Sequence, residues 1–255
     1  MAESAGALEQ ALDTWPDWCM GLNGRPSVIA PVPGGRTNLS YQLHAPGLPY
    51  ELLLRLNNPQ GESLGIRREH EQRILDTVAA ADITPGADYW SPDYRFTVFR
   101  HIGARTWSAR DLENPHQRRR LQQMLARVHQ LEPETPVRCY QDYLNHYWQQ
   151  LDVAGMVGPV LARAWEEFWP RLVAFDHSGW RPVLTHHDLI PENILETDER
   201  LYLIDWEYAA VGHPDIDRWC LDPSLVLDPF VHELAQWTNE LWERVVALNS
   251  RRAEQ

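Results

Sequence analysis

The sequence predicts an α+β protein in two unequal parts, a sheet-rich first hundred residues with one inserted helix and a mainly helical remainder. Three observations predict it. Short apolar runs punctuated by turn residues fill the first part. Apolar residues at helical spacing dominate from Pro115 onward. The change between the two patterns falls near Gly103 to Asn114. The expected parts are therefore 1–103 and 104–255, and clefts between such parts are common ligand sites.

Val28 to Pro33, Tyr41 to His44 and Leu52 to Leu56 read as strands, the first two separated by the glycine-rich turn Pro33-Gly34-Gly35-Arg36-Thr37-Asn38. Glu62 to Ala81 reads as one helix with Ile66, Ile74, Leu75 and Val78 on its apolar side, and Phe96 to Ile102 as another strand. In the second part Leu121, Met124, Leu125, Val128 and Leu131 mark a helix that Pro133 stops. Tyr140 to Leu151, Gly158 to Phe175 and Phe230 to Asn249 continue the helical pattern. Val183 to Thr185, Ile194 to Leu195 and Leu201 to Ile204 are short strands, the last two joined by the polar turn Glu196 to Arg200.

Composition narrows the function. With 44% hydrophobic and 23% charged residues in 255, the chain has the profile of a water-soluble protein. A net charge of −13 argues against nucleic acid or an anionic membrane as partner and suits a cationic ligand. No apolar run is long enough to span a bilayer, and Met1 to Gly6 lacks the regions of a signal peptide. Cys19, Cys139 and Cys220 show no metal-ligand spacing, so a reducing, cytoplasmic setting is expected. All 23 basic residues are arginine. A Walker A loop, a pyridoxal Schiff base and a lysine nucleophile are thereby excluded, and phosphate must be met by backbone amides, arginine or metal.

The chemistry concentrates in His186-His187-Asp188-Leu189-Ile190-Pro191-Glu192-Asn193 and Leu201-Tyr202-Leu203-Ile204-Asp205-Trp206-Glu207. Phosphoryl transfer needs an acceptor that orients the attacking hydroxyl and takes its proton, and oxygen ligands that hold magnesium against the phosphates. Asp188 follows a strand, where a carboxylate can project into a cleft. Asn193 lies across a tight loop from it, and Asp205 follows a hairpin strand that returns to the same place.

These stretches resemble the catalytic and metal-binding loops of the protein-kinase-like fold, and more narrowly those of the aminoglycoside phosphotransferase and choline kinase family. The resemblance implies a two-lobed kinase fold, with ATP and Mg2+ as cofactors. It implies Asp188 as catalytic base, Asn193 and Asp205 as magnesium ligands and His186 as a structural residue of the loop. It extends upstream, where Gly34, Gly35, Thr37 and Asn38 fit the turn that covers the nucleotide. Arg55 stands where many kinases carry a phosphate-contacting lysine, with Glu71 or Glu69 as its ion-pair partner. Phe99 to Ile102, including Arg100 and Ile102, fits the hinge that binds adenine. Val128-His129 lies on the long helix of the same group, which makes His129 a packing residue. Ile190 replaces the lysine of Ser/Thr protein kinases, and Asp205-Trp206-Glu207 is followed by no long activation segment, so a small-molecule substrate is expected.

A quaternary ammonium or thiazolium cation can be held over aromatic faces at about 2 kcal/mol per desolvated contact. Tyr143, Tyr147, Trp148, Trp206 and Trp219 are the candidate cage, with Glu207 or Asp217 as counter-charge. Choline-like and thiamine-like alcohols fit this reading; Tyr147-Trp148-Gln149-Gln150 is reminiscent of thiamine kinases, and the glycine turn favours choline. An aminoglycoside or amino-sugar kinase is the alternative within the class. A catalytically silent nucleotide-binding protein is the alternative outside it, although Asp188, Asn193 and Asp205 are all present. Oligomeric state leaves no mark on the sequence.

Overall fold

The computed structural model describes residues 2–18, 21–35 and 37–253; Cys19 and Arg36 fall outside the described residues. Helix α1 (Ala2–Asp13) leads into a five-stranded antiparallel sheet of β1 (Ser27–Val32), β2 (Leu39–His44), β3 (Leu52–Leu56), β4 (Ala87–Trp90) and β5 (Phe96–Arg100), in the order β1-β2-β3-β5-β4. Helix α2 (Arg68–Ala80) is inserted between β3 and β4. The short strand β6 (Arg105–Thr106) begins the helical lobe, followed by α3 (Ala109–Glu113), α4 (Pro115–Val128), α5 (Tyr140–Val153) and α6 (Pro159–Asp176). Then come β7 (Val183–Thr185), β8 (Ile194–Glu196), β9 (Leu201–Leu203) and β10 (Ala210–Gly212), and helices α7 (Asp215–Leu221) and α8 (Pro229–Ala253). The architecture is two-lobed and protein-kinase-like.

The two-residue period of β3 decides what faces the cleft. Leu52, Leu54 and Leu56 are buried in the core formed with Leu8, Ala11 and Leu12 of α1 and Phe96 and Val98 of β5. Alternation turns Arg55 to the opposite face of the sheet, toward α2. Helix α1 has no counterpart in the sequence reading; its alanine-rich stretch carries too few apolar residues to draw attention until the sheet supplies a partner. Strands β4, β6 and β10 are likewise too short and too polar to be legible.

The expected helix over Glu62 to Ala81 is broken. Glu62–Leu64 is a single 3-10 turn closed by Gly65, and α2 starts only at Arg68. Gly65 has φ of 76°, and a Cβ there would lie 2.6 Å from the Tyr143 ring. Close approach of the β3–α2 connection to α5 therefore demands glycine, and the left-handed turn stops the helix.

Helix α2 is glued to the second lobe as much as to the first. Ile74, Leu75, Val78 and Ile83 share one core with Leu121, Leu125 and Val128 of α4 and with Leu184, Leu189, Leu203 and Trp206. The Leu203 amide donates to the Ile83 carbonyl at 3.0 Å. A separate core of α5, α6 and α8, centred on Leu144, Phe168, Leu172 and Leu241, builds the far end of the helical lobe. No helix among the described residues is long and apolar enough to cross a membrane.

Glu196, at the end of β8, ties β6 and α4 to the catalytic hairpin. Burial works against its ionisation, but hydrogen bonds from Gln117, Arg120, Arg105 and Trp107 outweigh it and hold the carboxyl at about 2. A depressed carboxyl stabilises the fold above its unfolded value and loses that contribution as pH falls through the folded value. Glu196→Gln is expected to cost about 1–2 kcal/mol at neutral pH in urea unfolding. The difference from wild type should shrink steadily as pH drops from 4.5 toward 2.

Candidate active site

The strand-to-loop transition after β7 carries the catalytic-loop sequence, and the structure shows what braces it. His186 is wholly buried; its Nε2 meets the Ile204 carbonyl at 2.9 Å and its ring lies 4.6 Å from that of Trp206. His187 takes φ of 64°, a left-handed conformation that costs a non-glycine residue energy and that the surroundings must impose. They do so through Asp217 of α7. Its carboxylate accepts from the His186 amide at 3.0 Å and from the His187 amide at 2.9 Å. Burial alone would push the Asp217 carboxyl up; the neighbouring histidines and these amides hold it below the usual carboxylate range. His187 itself is packed against Tyr140, whose hydroxyl lies 3.0 Å from its Nε2. Burial first, and then Arg138, keep the His187 ring neutral well below the ordinary histidine range.

On this frame Asp188, Asn193 and Asp205 come together. The Asn193 amide nitrogen donates to the Asp188 carbonyl at 2.9 Å and to its carboxylate at 3.1 Å. The Ile204 amide donates to the Asn193 carbonyl at 3.0 Å, which seats Asp205 beside them. Asp205 is also left-handed, with φ of 65°. Its Oδ1 is enclosed and receives no hydrogen bond, with Arg55 Nη1 3.6 Å away, while 37% of the side chain remains open to the cleft. Burial, then Glu207, Glu71 and Asp188 push its carboxyl upward against the pull of Arg55. The open part of the side chain moderates that shift through solvent screening.

An enclosed carboxylate oxygen without a donor, next to an amide whose nitrogen is already committed, fits a hard cation shared with phosphate oxygens. No cluster of three His, Cys, Asp or Glu side chains able to cage a metal by itself occurs among the described residues. The donor set thus suits Mg2+ held partly by its substrate.

Above this lies a buried network of ions. Arg55 pairs with Glu71 at 2.6 Å, and its Nε donates to Asn57 at 2.9 Å. Glu69 is exposed, so the choice between the two glutamates falls to Glu71. Arg68, which the sequence reading did not single out, donates to Glu71 at 2.6 Å, to Glu207 at 3.0 Å and to Asn38 at 3.1 Å. Asn38 in turn donates to Glu207 at 2.7 Å, across the interlobe gap.

The remaining expected residues divide. Gly34 has φ of 111°, and at Gly35 a Cβ would sit 2.5 Å from the Asn38 carbonyl, so the turn itself requires both glycines. Thr37 is half-buried, its hydroxyl beside that of Tyr208. Asn38 contacts Glu207 and Arg68, which corrects the expectation of a nucleotide-facing side chain. Arg100 pairs in register with Leu52, and its guanidinium lies over the Tyr50 ring at 4.5 Å, away from the hinge role expected of it; Ile102 follows beyond the last rung.

The aromatic cage is corrected more deeply. Trp206 is buried beneath His186 and donates to the Leu203 carbonyl at 2.9 Å. Tyr147 is fully buried, bonded to the Leu64 carbonyl at 2.6 Å, and Trp148 stacks on Trp165 at 4.5 Å. Tyr143 already carries a cation, with Arg138 over its ring at 4.2 Å. Trp219 is half-buried, donating to His232 at 3.2 Å. Asp217 braces the loop, and Glu207 is committed to Arg68 and Asn38, so neither is a free counter-charge. Packing of α5 against α6 and α8 claims most of these rings. Two further aromatic residues outside the expected set meet near this segment: Tyr208, directly after Glu207, and Trp242 of α8, whose indole donates to the Tyr208 hydroxyl at 2.8 Å.

A cavity of about 1300 Å³ lies between α2, residues 135–139 and the start of α5, and does not include Asp188, Asn193 or Asp205. Arg68, Glu71 and Glu207 of the ion network line it from one side.

Comparison with known proteins agrees with this fold. Residues 28–248 match the sequence pattern of the Phosphotransferase enzyme family. Protein LicA of Haemophilus influenzae is 53% identical over 32 residues, a match spanning 12% of this chain and 12% of that relative. Among solved structures, choline kinase LicA from Streptococcus pneumoniae superposes with a TM-score of 0.70 at 16% identity, covering 97% of this chain and 92% of the other. A choline/ethanolamine kinase family protein from Mesorhizobium loti gives 0.61 at 21% identity, covering 91% and 75%. At these identities the solved structures speak for the fold.

The Glu71 assignment has a direct check. Removing one partner of a buried ion pair leaves an uncompensated charge, at about 3 kcal/mol or more. Glu71→Ala is expected to lose that much stability in chemical denaturation, whereas Glu69→Ala should stay within about 0.5 kcal/mol of wild type.

Proposed function

The chain belongs to the Phosphotransferase enzyme family, and from that premise we propose that it transfers the terminal phosphoryl group of ATP to the hydroxyl of a small cationic alcohol of choline-like or thiamine-like type. The observation that carries the reading is the meeting of Asp188, Asn193 and Asp205 in one cleft with the Arg55–Glu71 pair above them.

In this reading Asp188 orients the attacking hydroxyl and takes its proton; the Asn193 amide bonded to its carboxylate fixes the direction in which it points. The Asp205 carboxylate and the Asn193 side-chain amide oxygen would hold magnesium, which would supply neutralisation of charge on the phosphates. Arg55, anchored by Glu71, presents its remaining guanidinium edge to phosphate oxygens, a fork suited to bidentate contact. Catalysis is then positioning plus electrostatics, with no covalent intermediate on the protein.

The acceptor class rests on other support. Solved structures with the same fold include choline and ethanolamine kinases, and the chain is strongly acidic. With the original cage largely absorbed into the core, Tyr208 and Trp242 are the rings we assign to the acceptor side. Tyr208 immediately follows Glu207, Trp242 of α8 donates to its hydroxyl, and their rings meet edge-on at 79°. A cation over either face gains most where water is excluded.

Two measurements test the reading. ATP turnover should be stimulated by at least one member of a panel of choline, ethanolamine, thiamine, aminoglycosides and amino sugars. Silence across the panel would favour the non-catalytic alternative. Asp188→Ala should lower turnover by about 10²–10⁴-fold, the usual worth of a positioned base, while ATP still binds. Unchanged turnover would remove Asp188 from that role.

A further inference from the structure

Arg68 makes more cross-element contacts than any role in the transfer step requires. It stands in the first turn of α2, its side chain only 11% exposed, and bridges three separate pieces of chain. Through Nη1 it holds Glu71 of its own helix and Glu207 of the segment after Asp205; through Nη2 it holds Asn38 at the end of the glycine turn. Asn38 completes the figure. Its amide nitrogen donates to Glu207, and its oxygen accepts from both Arg68 and the Asn58 amide. The glycine turn and the metal segment are thus fastened to one guanidinium.

From this geometry we infer that Arg68 is a positioning residue: with Asn38 and Glu207 it latches the start of β2, at the end of the glycine turn, to the segment that follows Asp205, so that the two keep one spacing for nucleotide. The inference rests on the phosphotransferase reading for its purpose, though the latch itself is a matter of contacts. Two features argue for it over simple packing. Gly34 and Gly35 are exposed, with open space above Gly34, and the side-chain ties that join this stretch to other elements are those of Asn38 and of the Thr37 hydroxyl beside Tyr208. And the latch spends Glu207 wholly inside the protein, its side chain 2% exposed, where a planar two-nitrogen donor reaches three acceptors that a lysine could not. Charge supports the choice of arginine. Three carboxylates, Glu71, Glu207 and Asp205, face two guanidiniums, Arg55 and Arg68, and losing either cation would set buried acids against one another.

The experiment uses two variants that keep the buried charge balance, Arg68→Lys and Asn38→Ala, alone and combined. The first readout is hydrogen exchange of the turn amides, residues 34–38, in the protein without nucleotide. Each variant should speed exchange about tenfold, the worth of one lost charge-assisted hydrogen bond. The double variant should be little faster than either, because both cut the same link. The second readout is calorimetric affinity for magnesium and a non-hydrolysable ATP analogue, which should fall about tenfold in each variant, with the KM for ATP rising and that for the acceptor unmoved. Wild-type exchange rates in both variants would overturn the latch. So would faster exchange with unchanged nucleotide affinity, since positioning would then have no consequence. A wild-type protein that binds no nucleotide would defeat the phosphotransferase reading, and the latch as a device for nucleotide with it, even if the exchange rates moved as expected.

Discussion

Everything in the cleft depends on an excess of buried negative charge held in check by two arginines. Glu71, Glu207 and Asp205 crowd within reach of Arg55 and Arg68, and the balance is one positive charge short of neutral. Burying charge without compensation is costly, so the network persists only because each carboxylate is paired or faces the cleft. Asp205 is the one left facing outward, and its carboxyl is the one pushed upward. A divalent cation shared with phosphate would relieve that position more than any other. The fold has placed its electrostatic strain where the chemistry has use for it.

Rigidity comes from beneath. Asp217 gathers the His186 and His187 amides, and the His186 ring lies against Trp206 while bonding the Ile204 carbonyl. The loop that begins at His186 and the segment from Ile204 to Trp206 are therefore fixed to each other. Helix α2, which supplies Glu71 and Arg68, shares a core with α4 and the catalytic hairpin, so the lobe boundary in sequence near residue 103 is not the boundary in packing.

Much of this was legible in the sequence, and the reasons are physical. Asp188, Asn193 and Asp205 were found because phosphoryl transfer restricts residue type and spacing, and a strand–loop–hairpin path brings such spacing to one point. Arg55 and the glycine pair came from the family resemblance, and the structure supplies the physical reasons for their places: β3 alternates, and the turn admits no side chain. The aromatic cage failed for the opposite reason. Whether a ring lines a pocket or a core depends on how α5, α6 and α8 pack, and nothing local in Trp148 or Tyr147 records that. Asp217 was read as a counter-charge for the aromatic cage; its partners are backbone amides about thirty residues upstream. Arg68 was invisible because it follows Arg67 in an ordinary charged stretch, and only the break at Gly65 turns one of the two inward. Tyr208 and Trp242 could have been noticed from their place after the metal segment and on the last helix, but their meeting is long-range.

The most direct measurement is a crystal structure of the wild-type protein with Mn2+ and a non-hydrolysable ATP analogue. The anomalous signal should lie between the Asp205 carboxylate and the Asn193 amide oxygen, with Arg55 still on Glu71 and its free edge against the phosphates. Metal and nucleotide bound elsewhere, for instance in the hollow between α2 and α5, would contradict the assignment of the cleft and everything built on it.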